Sequence, residues 1–259
     1  MMRLSLLVFV AFTLLSSSHA DAEFNPIRQL GRRSVGSDDY KVNCQSFRVG
    51  VEANNLRDWI TIPTYCKSYI KTYLQKNQYS LDVEAIAVEA ADYAESLQKD
   101  IFLKDIWVFD IEETLLSNLG YLASSSVDFG TQQVYATPYY EWLTSNATVV
   151  PAILELYNAV VENGFEIVLL SEAPESIGDA LVQALQNAGF SGWTKLILKG
   201  DADNGKSPEE YKSAKRTELV NLRYRIAGNV GDQWSDLSGE NVGIRTFKVP
   251  NPVYNRIWD

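Results

Sequence analysis

The hydrophobic pattern of the chain changes character near residue 106. Before it, apolar positions recur at helical spacing. Pro63 to Lys76 opens like a helix, and in Leu81 to Lys99 the residues Val83, Ile86, Ala87, Ala90, Ala91, Ala94 and Leu97 fall three and four apart. After it, short apolar runs alternate with amphipathic stretches. Ile106 to Asp110, Glu166 to Ser171, Lys195 to Lys199, Tyr224 to Ala227 and Val242 to Val249 read as strands. Pro151 to Asn163, Glu175 to Asn187 and Pro208 to Leu222 read as helices, with Gly164 and Gly189 just past the ends of the first two. Strands that are apolar throughout, separated by helices, predict an α/β fold: a Rossmann-like parallel sheet covered by helices on both faces. The expected organisation is one domain over residues 40–259, with a helical extension (40–104) and an α/β core (105–259).

One segment breaks this rhythm. Residues 112–150 join the first strand to the next helix, far longer than the usual 2–6 residues. Their aromatics (Tyr121, Phe129, Tyr135, Tyr139, Tyr140, Trp142) suit either a packed surface insertion or a cap beside a site. In sheets of this kind sites lie beyond the carboxyl ends of the strands, which singles out Asp110, Ser171 and the segment after Ala227.

The N-terminus has another pattern. Arg3 precedes an apolar run of 12 residues, Leu4 to Leu15, and Ser18-His19-Ala20 offers a cleavage site. This reads as a signal peptide, 1–20, cut after Ala20 or else after Ala22, with a single-pass anchor as the competing reading. The run is short against the roughly 20 residues a span needs. Residues 21–39 read as a flexible polar tail. A secreted or vacuolar destination is expected, with no membrane partner for the mature chain.

Composition narrows the chemistry. Lys and Arg number 23 against 33 Asp and Glu, a formal charge of −10 without a basic stripe, which argues against nucleic-acid partners. The single histidine, His19, lies in the expected signal peptide. Ser-His-Asp and Cys-His mechanisms and His-ligated zinc are thereby excluded from the mature chain. Cys44 and Cys66, in an oxidising compartment, are expected to form a disulfide. Closing that loop stabilises the fold by about 3 kcal/mol. Asn146-Ala147-Thr148 is a glycosylation sequon and predicts a surface loop. Asp201-Ala202-Asp203-Asn204-Gly205 has some likeness to a calcium loop, but its glycine comes one position early and the twelfth position lacks an acid, so it reads as a turn.

Three strand ends carry groups that suit one reaction. Asp110 and Glu112 stand at the first, Ser171 at the second, and Gly231-Asp232-Gln233-Trp234-Ser235-Asp236 follows the fourth. Converging carboxylates repel unless a hard divalent cation lies between them, and Mg2+ takes one or two carboxylates plus a substrate phosphate. A nearby lysine and hydroxyl would hold the other phosphate oxygens.

The segment Asp110-Ile111-Glu112-Glu113-Thr114, continued by Leu115-Leu116-Ser117-Asn118, resembles the first motif of haloacid-dehalogenase-type phosphatases. Tyr211-Lys212-Ser213-Ala214-Lys215-Arg216 and the run Gly228 to Leu237 match later motifs of the plant acid phosphatase and vegetative storage protein branch, the class with an N-terminal helical extension. The resemblance covers about Val42 to Asp259. It implies hydrolysis of small phosphomonoesters with Mg2+. Asp110 matches the nucleophile that becomes an aspartyl-phosphate, and Glu112 the general acid/base. Ser171 and Lys212 match the phosphate-binding hydroxyl and lysine, with Lys215 in reserve. Asp110, the Glu112 backbone carbonyl, Asp232 and Asp236 match the metal ligands, Asp236 directly or through water. Family members form dimers, so a homodimer is implied.

Two positions depart from the family pattern. Aspartate is usual where Glu112 stands, and the extra methylene moves the carboxyl by roughly 1–1.5 Å. Ser171 is followed by Glu172 and Ala173 rather than Gly-Arg, which adds an acid beside an anionic substrate. Two readings therefore stand: a weakly active acid phosphatase, or a vegetative storage protein on the same fold.

Overall fold

The computed structural model describes residues 42–258. The expected signal peptide and tail lie outside the described residues. Helix α1 (Cys44–Glu52) is started by Asn43, whose side chain accepts from the Ser46 amide at 3.0 Å. A helical turn, Thr64–Cys66, leads into α2 (Lys67–Gln75), and Cys66 is bonded to Cys44 as expected. Helix α3 (Asn77–Ser96) buries Val83, Ala87, Ala90 and Ala94. This spacing puts small side chains on one face, so the helix can lie close to its neighbours.

Strand β1 (Lys104–Phe109) opens the core. The insertion that follows holds β2 (Leu116–Ser117), α4 (Leu119–Leu122), β3 (Val134–Tyr135), α5 (Ala136–Asn146) and β4 (Thr148–Val149). The core resumes with α6 (Pro151–Glu162), β5 (Glu166–Pro174), α7 (Gly178–Asn187) and β6 (Lys195–Lys199). It continues through α8 (Pro208–Asn221), β7 (Tyr224–Gly231), α9 (Trp234–Leu237) and β8 (Arg245–Lys248). A last short strand, β9 (Ile257–Trp258), ends the described chain.

The main sheet has the order β6-β5-β1-β7-β8, and every neighbouring pair in it is parallel. Its central strand, β1, shows how the core is divided. Trp107 and Phe109 join a cluster with Ala87, Ala90, Ile153, Tyr157, Leu181 and Leu185, from α3, α6 and α7. Ile106 and Val108 face the other way, onto Tyr211 and Leu219 of α8. Burial on both faces is why the strand reads as continuously apolar. Trp107 also explains a glycine: a Cβ at Gly228, its partner across β7, would collide with the indole ring.

Several boundaries differ from expectation. Strand β7 runs to Gly231, four residues past Ala227, because the buried amide of Asn229 finds the carbonyls of Asp236 (2.8 Å) and Val242 (3.1 Å). Strand β5 continues through Pro174, with a register shift between Leu170 and Pro174, so Ser171 lies within it rather than at its end. The fifth strand is shorter than Val242–Val249, because Asn241 (φ 54°) and Gly243 (φ 102°) turn the chain before Arg245. Periodicity does not delimit helix α1. The Glu175–Asn187 segment starts as a tighter turn, Glu175–Ile177, before α7. Asn146 is exposed, as a sequon requires, but it is the last residue of α5 rather than part of a loop. Among the described residues no helix is long and apolar enough to cross a membrane.

Candidate active site

Asp110 directly follows β1, and its amide donates to the Val230 carbonyl at 2.9 Å, so the expected nucleophile is fixed against β7. The next turn is tight. Thr114 and Leu115 amides return to the Ile111 carbonyl, and Glu113 takes a left-handed φ of 54°. That turn points the Thr114 hydroxyl back at Asp110 Oδ2 (3.1 Å). Glu113 is itself buried and tethers the turn to the insertion, accepting from the Asn118 amide (2.7 Å), Ser117 Oγ (3.1 Å) and the Tyr139 hydroxyl (3.3 Å). Burial pushes its carboxyl up to about 8.

Lys212 reaches the same place from the buried face of α8. That helix starts with a capping box between Ser207 and Glu210 and has Pro208 in its first turn, which fixes its entry angle. Lys212 Nζ donates to Asp110 Oδ1 at 2.5 Å and also pairs with Asp236 Oδ1. Burial works against its charge, but Asp110, Asp236 and the neighbouring glutamates outweigh it and hold the ammonium protonated. Lys215, the reserve choice, is not at the site. It pairs with Asp203 (3.2 Å) and Glu218 (3.6 Å), and Asp203 also takes Lys206. The acid-rich turn at Asp201 is thus an anchor for α8.

Asp232 and Asp236 come from the end of β7 and from α9. Asp232 Oδ2 accepts from Asn251 Nδ2 (2.6 Å) and Gln233 Nε2 (3.1 Å), and Asp236 Oδ2 from the Gln233 amide (2.9 Å). Gly231 has to be a glycine, since a Cβ there would overlap the Asp236 carboxylate. Burial, then Asp236, raises the Asp232 carboxyl to about 6. Asp110 is raised as well, by burial and then by Asp236, against the pull of Lys212.

Oxygens of Asp110, Asp232 and Asp236 lie within 4.8 Å of one another, and all three residues are buried. The donor set is hard carboxylate oxygen, without thiol or imidazole. Between Asp110 Oδ2 and Asp232 Oδ1 (3.5 Å from Thr114 Oγ1) stands one hydroxyl, whose single proton serves only one of them. Lys212 alone leaves this cluster with excess negative charge. These residues fit a small divalent cation.

The opposite wall is arranged differently. Glu112 is buried, and its Oε1 accepts from Ser171 Oγ at 2.6 Å. The Ala173 amide in turn donates to Ser171 Oγ at 2.8 Å. Burial raises the Glu112 carboxyl, opposed by Lys212 and by Ser171. Glu172 also faces the cleft, where burial raises its carboxyl to about 7 and Lys212 opposes the rise. The cleft is lined by Asp110, Glu112, Glu172, Lys212 and Asp232 together with Tyr140 of the insertion and residues 254–257. The expected cap and packed insertion are one object: Tyr139 is buried behind the site while Tyr140 borders the cleft.

Five contributors escaped sequence reasoning. Thr114 and Asn251 brace the acids. Arg216, wholly buried, donates to the carbonyls of Asp236 (2.8 Å) and Glu240 (3.1 Å) and so holds the turn carrying Asp236. Its position four residues after Lys212, on the same helix face, was the available signal. Tyr254 and Arg256 arrive from the C-terminal segment, which offered none.

The family described as HAD superfamily, subfamily IIIB (Acid phosphatase), matches residues 32–257. The chain belongs to this family. The first-motif, lysine and Asp232/Asp236 segments all fall inside the match to subfamily IIIB. Acid phosphatase 1 of Solanum lycopersicum is 39% identical over 215 residues, covering 83% of this chain and 84% of that protein. Vegetative storage protein 2 of Arabidopsis thaliana is 35% identical over 261 residues, 97% of each chain. The stem 28 kDa glycoprotein of Glycine max is 36% identical over 258 residues, covering 98% of this chain and 99% of its own. Among solved structures, the class C acid phosphatase from Bacillus anthracis superposes with a TM-score of 0.56 at 21% identity, over 73% of this chain and 84% of that one. At that identity the likeness shows the fold, and it is the haloacid-dehalogenase-like one expected.

Proposed function

We propose that the protein hydrolyses small phosphomonoesters through an aspartyl-phosphate on Asp110, at a rate restrained by Glu112 and Glu172. The observation that carries this reading is Lys212, buried and ion-paired to Asp110 and Asp236 at the carboxyl end of the sheet. A buried lysine shared by two acids is costly to maintain for structure alone. Here it sits where a phosphate would need neutralisation.

In this reading Asp110 attacks phosphorus, and the bond to the leaving oxygen breaks as Glu112 protonates that oxygen. Glu112, now ionised, takes a proton from the water that cleaves the acyl phosphate. Lys212 and Ser171 hold the non-bridging oxygens, and burial of the cleft strengthens those contacts. Asp110, Asp232, Asp236 and the Glu112 carbonyl would hold Mg2+, which supplies charge neutralisation to the phosphoryl group when bound. Relatives named as storage proteins and stem glycoproteins support a secreted or vacuolar location.

The Glu112–Ser171 hydrogen bond favours a second reading, in which cation binding is kept and turnover is lost. Hydrolysis of 4-nitrophenyl phosphate with and without Mg2+ separates the two. Asp110→Asn is expected to lower the Mg2+-dependent rate by about 10³-fold or more. Equal rates in wild type and Asp110→Asn would leave only the storage reading.

A further inference from the structure

The last described residues form a strap along the cleft. Asn251 holds Asp232, the Tyr254 carbonyl accepts from Gln233 Nε2 (3.2 Å), and the Tyr254 and Tyr139 hydroxyls meet at 3.1 Å. Ile257 and Trp258 then pair in parallel with Val134 and Tyr135 of the insertion. Between these anchors Asn255 and Arg256 are exposed, and both line the cleft. The Arg256 guanidinium lies over the Trp258 ring, 4.2 Å from its centroid. Stacking limits the directions in which the side chain can extend, so the guanidinium is held at the cleft mouth.

Charge makes this placement informative. Four carboxylates (Asp110, Glu112, Glu172, Asp232) and two cations (Lys212, Arg256) line the cleft. Lys212 is buried and committed to Asp110 and Asp236. Arg256 is stacked on an aromatic ring, and among the described residues no ion pair involves it. It is exposed where Asp110 and Lys212 are buried, so it lies outward of them along the same cleft. A phosphate attacked by Asp110 would direct its alcohol portion toward that mouth. A substrate with a second negative charge would meet mostly acids there, with Arg256 as the available donor fork for a carboxylate or phosphate.

We infer that Arg256 is a specificity-determining residue that binds a second anionic group on the alcohol side of the phosphomonoester. The inference rests on the hydrolysis proposed above. The preferred substrates are accordingly phosphomonoesters whose alcohol carries a carboxylate or a further phosphate.

The test compares phenyl phosphate with 4-carboxyphenyl phosphate and 1,4-phenylene bisphosphate. Wild type prefers the doubly functional esters, and Arg256→Gln lowers each kcat/KM ratio to phenyl phosphate roughly fivefold, through KM, as expected for an exposed pair. Arg256→Lys keeps part of the preference, since the charge stays but the planar fork is lost. Raising salt to about 0.5 M narrows the wild-type preference and leaves that of Arg256→Gln little changed, because the contact is solvent-exposed. Loss of preference for only one of the two charged esters upholds the inference for that group and tells carboxylate from phosphate. Ratios that are the same in wild type and Arg256→Gln would overturn the inference. Calorimetric titration with benzylphosphonate and 4-carboxybenzylphosphonate reads the same contact without turnover. Tighter binding of the carboxylated compound, abolished in Arg256→Gln, upholds Arg256 even if Asp110 proves inactive. Equal binding of the two compounds sinks it.

Discussion

On the β7 side of the cleft each acid is braced from behind. Asn251 and Gln233 hold Asp232, the Gln233 amide and Lys212 hold Asp236, and Arg216 and Asn229 both donate to the Asp236 carbonyl. On the β5 side the contacts run between the functional groups themselves. Glu112 accepts from Ser171, the hydroxyl expected to hold phosphate, and Glu172 faces the cleft. The wall that would hold a cation is therefore braced throughout, while the wall that would receive the phosphate is occupied by its own side chains. If the proposed function holds, metal affinity and turnover are separable, and substitutions on the two walls should affect them separately.

Asp232→Asn attacks the braced wall. It is expected to lower Mg2+-dependent hydrolysis by on the order of 10²–10³-fold, by removing a fixed charge from the site. It should also abolish the rise in thermal stability that saturating Mg2+ gives wild type, about 2.7 kcal/mol at a hundred times Kd, read by scanning calorimetry. No Mg2+-dependent shift in wild type would contradict cation binding at that wall. Lys212→Met leaves Asp110 and Asp236 uncompensated, and denaturant unfolding should show a loss of about 3 kcal/mol. On the facing wall, Glu112→Asp withdraws the carboxyl from Ser171 and should raise kcat about tenfold or more. A fall in kcat would mean that Glu112 already stands where catalysis needs it.

The smallest effect concerns pH. The Glu172 carboxyl titrates near 7 in the fold against 4.5 when solvated, so the folded chain binds more protons between these values. Its contribution to stability is complete below about 4.5 and is lost as pH rises through 7. Glu172→Gln should remove that loss, making the variant more stable than wild type at pH 8 by about 1 kcal/mol, less than the full shift implies because the cleft is open to solvent. Activity should follow the same window. An ionised Glu172 repels an anionic ester, so Glu172→Gln should carry hydrolysis to higher pH. A pH–rate profile unchanged by this substitution would exclude Glu172 as the source of any acid optimum.

Legibility in the sequence followed the range over which each feature is determined. Strand β1 and the acid after it were readable because burial on both faces makes a continuous apolar run, and the turn that ends it is local. Asp232 and Asp236 were readable because their spacing is four residues, set by one strand end and one helical turn. Lys212 could be told from Lys215 only by the packing of α8, since residues three apart are neighbours on a helix and the two differ in partners, Asp110 for one and Asp203 with Glu218 for the other. Asn251 reaches Asp232 across a loop, and Arg256 reaches the cleft only because β9 pairs with β3, more than a hundred residues earlier in the chain. Periodicity carries no trace of such pairings. The full length of β7 is illegible for a related reason: Asn229 is polar in sequence and becomes compatible with a buried strand only through two distant carbonyls.

The hydrogen bond from Ser171 to Glu112 has one more consequence. Glu112 is in effect a tethered competitor, an anion delivered to its own receptor at a high effective concentration fixed by the backbone. Substrate and inorganic phosphate would face the same competitor, so both should bind more weakly than at an open hydroxyl. A protein built this way would be slow at dilute ester yet poorly inhibited by accumulated phosphate. Because KM and the phosphate inhibition constant rise by the same factor, the tether costs rate at dilute ester and costs nothing once phosphate is abundant.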